Sequence, residues 1–217
     1  MQTNVIKERS RRIETKAIRP KATLRKTTVI RRRELILTAR SIIFNEGTGN
    51  FTLRRLADEV GLTEAAIYRH FDNKEEILLA LVDFMYDGWD RKLNALLEKK
   101  IPPREKLMKL GKIHLTQLLK HQFNPVMLFS EAVDPRQPKI AEAIIMKRKR
   151  LFEVIGIIVR EGCDTGIFRS RLDVQAAVLA LSGVLQNCII RWTLTKKTKF
   201  LKSEMERAMA LIIDGLS

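Results

Sequence analysis

The residue types with the clearest chemical meaning lie between Phe51 and Lys74, in the stretch FTLRRLADEVGLTEAAIYRHFDNK. Thr52 and Thr63 each precede a short segment of helical periodicity, where a hydroxyl caps a helix and free backbone N–H groups face an anion. Gly61 separates the two segments and permits a tight turn. Two short helices joined in this way predict a helix-turn-helix, whose second helix enters the major groove of DNA.

The side chains of this helix pair divide between an inner and an outer face. Ile67 of the second helix points inward with Leu56 and Ala57 of the first, and the small Ala57 lies where the helices cross. The outer face keeps a short, mixed set of side chains that suits a major groove, namely Glu64, Ala65, Tyr68 and Arg69.

Positive charge is concentrated near the start of the sequence. The 217 residues include 41 Lys and Arg against 25 Asp and Glu, which gives a net charge of +16. Residues 1–33 alone hold twelve Lys or Arg and two Glu, a net of +10. This asymmetry indicates a polyanionic partner, either nucleic acid or an anionic membrane surface.

Residues 1–28 lack apolar periodicity and contain Pro20, so we expect them to form a flexible basic arm. The arm could lie in a minor groove or along phosphates, as basic arms do in other DNA-binding proteins. It could equally be a solvated tail that raises non-specific affinity for DNA. We favour the solvated tail, because it requires no specific contact between the arm and DNA.

Other kinds of site have little support in the sequence. It contains no phosphate-binding glycine loop, nucleophile elbow or CxxC pair, so we expect no enzyme, no catalytic residue and no cofactor. His114 and His121 are too far apart for ligands on adjacent helical turns, so we expect no metal. Two cysteines, Cys163 and Cys188, exclude a disulfide scaffold and favour a cytoplasmic location.

The elements that must position the helix pair are helical as well. Hydrophobic residues make up 45% of the chain, glycine and proline are scarce, and no convincing strand occurs. We therefore predict an all-α fold of about nine helices. The apolar periodicities and cap residues place them near residues 31–47, 53–60, 64–70, 73–98, 103–121, 125–134, 139–161, 173–194 and 203–216.

Three regions follow from this pattern. Residues 1–28 form the arm, 29–80 a helix-turn-helix DNA-binding domain, and 81–217 a helical regulatory and dimerisation domain. The uncharged run of residues 174–190 is shorter than the ~20 apolar residues that a membrane-spanning helix needs, so we expect a buried helix and no membrane partner.

The stretch from Arg31 to about Leu81 resembles the DNA-binding domain of the TetR family of bacterial transcription regulators, and the rest matches that family in layout. The resemblance implies an all-helical homodimer that binds double-stranded DNA at a palindromic operator. In that family the last two helices, here about residues 173–216, build the dimer interface. A small molecule bound in the C-terminal half usually releases the DNA, so the resemblance implies a cytoplasmic repressor.

The family pattern also assigns roles to single residues. It implies that Thr52, Thr63 and Lys74 contact phosphates. Tyr68 and His70 match phosphate-contacting positions as well. It puts base reading on the start of the second helix, where Glu could accept from cytosine and Ala could touch a thymine methyl. The full predicted DNA-binding set is Thr52, Arg54, Thr63, Glu64, Ala65, Ala66, Tyr68, Arg69, His70 and Lys74.

Plainer interpretations stand beside these roles. Tyr68 could pack against the protein, and His70 could be a surface or capping histidine. Arg54 and Arg55 could be a solvated helix face, whereas Phe71 is expected to plug the core.

The regulatory half offers weaker signals. A pocket between helices would have apolar walls and few polar groups. The residues proposed for such a pocket are Trp89, His114, Leu118, Met127 and Glu131, although aromatic and Met residues at helical spacing are often core. The basic run 147–150 is either a solvated surface or a contact for an acidic ligand or a partner protein.

The sequence is compatible with two functions. One is a DNA-binding transcriptional regulator, expected to be a repressor with a small-molecule effector. The other is a DNA-bound adaptor of the nucleoid-occlusion type that binds a protein partner, since TEAAIYRHF is similar to that branch of the family. A ligand sensor should have an enclosed pocket, whereas an adaptor should bind its partner protein on DNA.

Overall fold

The computed structural model describes residues 27–121, 138–195, 197 and 199–217. Almost all of the predicted arm and the predicted helix at 125–134 lie outside these residues. So do Met127 and Glu131, two of the residues proposed for a pocket.

The described residues contain nine α-helices and no strand, which confirms the all-α class. A short 3₁₀ turn, Thr48–Asn50, follows the first helix. The helices are α1 (Thr28–Glu46), α2 (Leu53–Val60), α3 (Glu64–Ile67), α4 (Lys74–Met85), α5 (Trp89–Leu97), α6 (Pro103–His121), α7 (Pro138–Asp164), α8 (Val174–Thr195) and α9 (Leu201–Asp214).

Helix starts in the N-terminal half follow the predicted cap residues. The hydroxyl of Thr52 accepts the Arg55 N–H at 3.0 Å, and that of Thr63 accepts the Ala66 N–H at 3.2 Å. Asn73 caps α4 in the same way at 2.9 Å. Each contact satisfies an N–H that a helix end would otherwise leave unpaired.

Several predicted helix boundaries were wrong. A helix over 64–70 was expected, but α3 ends at Ile67 and a turn follows. Ser203 was expected to cap the last helix, yet α9 begins at Leu201 after Phe200, which has a φ of 69°. Ser203 therefore lies in the first turn, and its hydroxyl donates to the Phe200 carbonyl at 3.0 Å.

The largest error concerns the predicted helix at 73–98, which is two helices. α4 ends at Met85, and α5 begins at Trp89 after Gly88, which adopts the left-handed conformation at φ 68°. Gln117 of α6 donates to the carbonyls of Met85 at 2.7 Å and Asp87 at 3.3 Å. The break is stable because a side chain from α6 satisfies carbonyls that no longer have a helical partner.

The buried side chains form two clusters. One joins α1 to α4 and includes Phe51, Ile67, Phe71 and Ile140 of α7. The other begins at Trp89 and is built from α5 to α9. The clusters meet at the α4–α5 joint, so that joint connects the helix-turn-helix to the C-terminal half. The predicted domain boundaries themselves stay a prediction.

Helix α8 is the one helix among the described residues that is long and apolar enough to cross a membrane, judged by length and composition alone. A core helix of a soluble protein passes the same test. Ala177, Val178, Leu181 and Leu185 of α8 belong to the second buried cluster. We therefore interpret α8 as a packing helix with one face left uncovered in the single chain.

Candidate DNA-binding interface and effector cavity

The turn between α2 and α3 has the geometry that the sequence predicted. Gly61 ends α2 in the left-handed conformation, with φ 66° and ψ 38°. The Leu62 N–H donates to the Ala57 carbonyl at 2.9 Å, which closes the last turn of α2. Leu56 and Ile67 are fully buried, so the angle between the two helices is fixed by packing.

The predicted DNA-binding residues are on the outside of this helix pair. Tyr68 is 51% exposed, which is high for a large aromatic side chain. Three members of the set are partly buried, namely Ala66, His70 and Lys74. The other seven are exposed, namely Thr52, Arg54, Thr63, Glu64, Ala65, Tyr68 and Arg69. Their contacts to DNA stay predictions.

The two neighbouring arginines of α2 have different surroundings. Arg55 pairs with Glu46 of α1 at 2.9 Å and with Glu59 at 2.6 Å, and these hydrogen bonds raise its pKa above the ordinary value. Arg54 is exposed and has no acidic partner among the residues described. Arg54 is therefore the arginine of this pair that is available to a phosphate.

Arg32 of α1 is a positioning residue that the sequence reasoning missed. Its guanidinium donates to the His70 carbonyl and, at 3.1 Å, to the Glu76 carboxylate of α4. It also lies 4.0 Å from the centre of the Phe71 ring. Arg32 thereby ties α1 to the start of α4 and to the end of residues 64–70, which we call the recognition segment. No local signal pointed to this contact, because its partners are 38 and 44 residues away in sequence.

The Glu76 carboxylate is held by more than Arg32. It accepts the Asp72 N–H at 2.7 Å, immediately before the Asn73 cap. This hydrogen bond, together with Arg32 and against a smaller effect of burial, holds the pKa of Glu76 below its usual value. The ionised carboxylate therefore stabilises the start of α4, beside the predicted phosphate contact at Lys74.

A cavity of about 500 Å³ lies between the α4–α5 joint and helices α6, α7 and α8. Trp89 and His114, both predicted for a pocket, lie on its wall with ring centroids 5.6 Å apart. Leu118 is not on the cavity wall and packs in the second buried cluster. The described lining residues are Tyr86, Trp89, His114, Ala141, Ile144, Ile145, Lys147, Arg148, Lys149, Leu151, Phe152, Ser182, Leu185, Gln186 and Ile189.

Burial controls the protonation of the polar groups on this wall. It lowers the pKa of His114 to about 4, helped by the positive charge of Arg148. Burial raises the pKa of Tyr86 to about 12, with Arg148 acting in the opposite direction. At neutral pH the wall therefore holds a neutral imidazole and a protonated phenol. In the part of the chain that the structure describes, Trp89 Nε1 and His114 Nε2 are buried and have no hydrogen-bond partner.

Metal-binding groups are not evident in the described part of the chain, where no three His, Cys, Asp or Glu side chains cluster. Cys163 and Cys188 are both free thiols.

Two family models match the chain. Residues 35–81 match the model described as "Bacterial regulatory proteins, tetR family". Residues 100–193 match "Tetracyclin repressor-like, C-terminal domain". The first covers the helix-turn-helix and most of α4, and the second covers α6 to α8.

Similar proteins include the fatty acid metabolism regulator protein of Bacillus subtilis, 21% identical over 84% of this chain and 94% of the relative. The nucleoid occlusion factor SlmA of Vibrio cholerae is 36% identical, but over only 32% of this chain and 37% of its own. The crystal structure of the transcriptional regulator FadR from Bacillus subtilis in complex with stearoyl-CoA superposes with a TM-score of 0.68. It is 22% identical, over 85% of this chain and 99% of that one.

Family models match both halves of the chain, the described fold is all-helical, and the recognition segment is exposed. The chain belongs to the TetR family and is a DNA-binding transcriptional regulator.

Proposed function

We propose that the protein is a cytoplasmic homodimeric repressor that binds a palindromic operator and leaves it when a small molecule occupies the cavity. The observation that carries this proposal is the exposed face of the recognition segment, where Ala65, Tyr68 and Arg69 all meet solvent. A structural role would bury Tyr68, whereas a groove-reading role needs it outside.

The proposed DNA contacts are of two kinds: contacts to phosphates position the protein, and contacts to base edges select the sequence. The hydroxyls of Thr52 and Thr63 accept N–H groups of their own helices, so their O–H groups remain free to donate to phosphate oxygens. Ala65 of α3 and Arg69 of the turn that follows it are exposed and would face base edges. The charge of Arg54 supports a further phosphate contact.

Dimerisation is supported by the uncovered face of α8. Leu179, Ile190 and Leu194 are 70%, 37% and 78% exposed, and Leu211 of the neighbouring α9 is 75% exposed. These four apolar side chains lie on a helix pair whose buried side chains pack in the second cluster. A second copy of the chain would cover them and would provide two recognition segments related by a two-fold axis.

The cavity supports a small-molecule effector. Its volume is within the range of about 300–1,000 Å³ that is usual for ligand sites. Tyr86 and Trp89, on its wall, flank the joint at the end of α4, and Gln117 of α6 holds that joint together. A ligand that shifts α6 would therefore move α4, whose other end adjoins the recognition segment. A structurally similar regulator, FadR from Bacillus subtilis, forms a complex with stearoyl-CoA, which supports a small-molecule effector for this chain as well.

The adaptor interpretation has less support. The nucleoid occlusion factors of Vibrio cholerae and Aliivibrio fischeri match about a third of this chain, and that of Shewanella woodyi matches 59% of it. The match to a C-terminal regulator domain over residues 100–193 favours the sensor, and so does the cavity that this domain mostly lines.

A selection from genomic fragments tests the proposal directly. The full chain would be mixed with sheared genomic DNA at several salt concentrations, and the retained fragments would be sequenced. We expect an inverted repeat whose half-sites are about one helical turn, roughly 10 base pairs, apart. Retention of fragments without any shared inverted repeat, at every salt concentration, would rule the proposal out.

A further inference from the structure

The four residues of the basic run 147–150 of α7 differ in whether they have an acidic partner. Lys147 pairs with Asp83 of α4 at 3.2 Å. Arg150 pairs with Glu153 at 3.4 Å and with Asp90 of α5 at 3.9 Å, and it is not on the cavity wall. These two cations are neutralised within the protein, and each connects α7 to another part of the chain.

Arg148 and Lys149 differ from their neighbours. Both line the cavity, and neither has an acidic partner among the described residues. The Arg148 guanidinium lies 5.5 Å from the centre of the Phe152 ring, another wall residue. Its charge also depresses the pKa of both Tyr86 and His114, so it acts on the inside of the cavity. The cavity therefore has an uncompensated positive side.

Most of the remaining wall is apolar, although Tyr86, Ser182 and Gln186 also line it. Ile144, Leu151 and Leu185 contribute aliphatic surface from α7 and α8. Two ring nitrogens on this wall, Trp89 Nε1 and His114 Nε2, are buried with no hydrogen-bond partner among the described residues. An unpaired buried N–H costs roughly 1–3 kcal/mol, so these atoms are suited to an acceptor brought by a ligand.

We propose that the effector is an amphipathic anion, with an aliphatic chain against the apolar wall and an anionic head on Arg148 and Lys149. The proposal rests on the proposed function only in taking this cavity as the effector site. Acceptor oxygens of such a head group satisfy the Trp89 and His114 nitrogens as well as the two cations. A neutral lipid of the same length leaves the cations without an anion. The head can be a free carboxylate or the phosphates of an acyl thioester of coenzyme A.

Titration with defined probes tests the inference, because Trp89 on the cavity wall gives an intrinsic fluorescence signal. The probes are palmitate, palmitoyl-CoA, the uncharged hexadecanol and coenzyme A without a chain. We expect palmitate or palmitoyl-CoA to bind, and hexadecanol and free coenzyme A to bind more weakly. Tighter binding of palmitoyl-CoA than of palmitate identifies phosphates as the head, and the reverse identifies the carboxylate.

The decisive comparison is Arg148→Gln against Arg150→Gln. Both variants lose one charge from the same helix, but only Arg148 faces the cavity. We expect R148Q to weaken binding of the charged probe about tenfold or more, as loss of a charged hydrogen bond predicts. Binding by R150Q should match the wild type, and hexadecanol should not distinguish the two variants.

Three results overturn the inference: neither charged probe binds, hexadecanol binds as tightly as they do, or R148Q and R150Q behave alike. If the full chain still retains an inverted repeat, these results leave the proposed repressor function intact. If the charged probe binds through Arg148 but does not release operator DNA, the ligand class stands and the release step of the proposed function is wrong.

Discussion

Glu76 and Arg32 illustrate how much of the recognition surface depends on residues that would not touch DNA. The Glu76 carboxylate accepts one backbone N–H and one guanidinium N–H, and Arg32 holds the end of the recognition segment through the His70 carbonyl. The position of Tyr68 therefore depends on a contact between α1 and α4. Without this contact the segment would loosen, although every predicted DNA-binding side chain would still be present.

Glu76→Gln should lower the free energy of unfolding at neutral pH by about 1 kcal/mol, because both partners are more than a third exposed and water screens the pair. The folded-state pKa of Glu76 is below its ordinary value of 4.5. The stabilisation is therefore complete above pH 4.5 and is lost as the pH falls through the folded-state pKa. Urea unfolding of wild type and variant across this range measures the difference.

The matched control for that experiment is Glu142→Gln, which removes an exposed carboxylate from α7. Its effect should be small at every pH. A difference between wild type and E76Q that persists unchanged in acid would show that the carboxylate charge is not the stabilising feature.

Tyr68→Ala should weaken operator binding by at least about 1 kcal/mol, the scale of one good protein–DNA contact. The side chain is 51% exposed, so the thermal stability of the variant should be close to that of the wild type. Fluorescence anisotropy with a labelled operator measures the affinity. Tyr68→Phe separates the hydroxyl from the ring, and unchanged affinity in both variants would remove Tyr68 from the interface.

Helix features that depend on neighbouring residues could be predicted from the sequence, whereas features that depend on a distant residue could not. The caps at Thr52, Thr63 and Asn73 were predictable because each depends on an N–H only three residues away. The break after Met85 was missed because its carbonyl is satisfied by Gln117, 32 residues along the chain. A periodic apolar pattern cannot show a break that another helix stabilises.

The same distinction applies to the candidate sites. The recognition segment is one continuous stretch, so its exposed face follows from helical periodicity. The cavity combines His114 with Arg148 from a different helix, and only the tertiary fold brings them together. Of the described residues that the sequence proposed for a pocket, Trp89 and His114 line the cavity and Leu118 does not. For the basic run of α7, the sequence could not decide between a solvated surface and a contact for an acidic ligand or a partner protein.

Leu179→Glu tests the uncovered face of α8 as the dimer interface. Leu179 is 70% exposed in the single chain, so a carboxylate there costs the protomer little. In a two-fold dimer the substitution would bury two like charges, which is strongly unfavourable. We expect the variant to sediment as a 25.1 kDa monomer in analytical ultracentrifugation and to bind the operator weakly.

Val29→Glu is the control for that substitution, since Val29 is 78% exposed on α1, away from α8 and α9. It should remain dimeric. If L179E and V29E have the same mass in solution, the dimer is built by another surface of the molecule.

At the scale of the whole molecule, the net charge of +16 is unevenly shared between residues 1–26 and the described fold. Residues 1–26 hold nine Lys or Arg and two Glu, a net of +7, so the remaining residues carry +9. Charge that is not arranged on a recognition surface attracts any DNA, whereas the outer face of α3 is positioned to discriminate sequences. The charges of residues 1–26 should therefore determine how DNA binding depends on salt. The outer face of α3 should determine which sequences are bound.

Deletion of residues 1–26 separates these contributions and retains Thr27, whose hydroxyl caps α1. We expect the deletion to lower affinity for operator and scrambled DNA by the same factor. It should also flatten the dependence of log affinity on log salt by about 0.9 for each phosphate that the protein no longer neutralises. Anisotropy titrations over a range of salt concentrations measure both slopes. An arm of equal length with its Lys and Arg replaced by Gln should behave like the deletion, because the effect is one of charge. Loss of operator binding alone, with scrambled DNA bound as before, would instead mean that these residues read the operator.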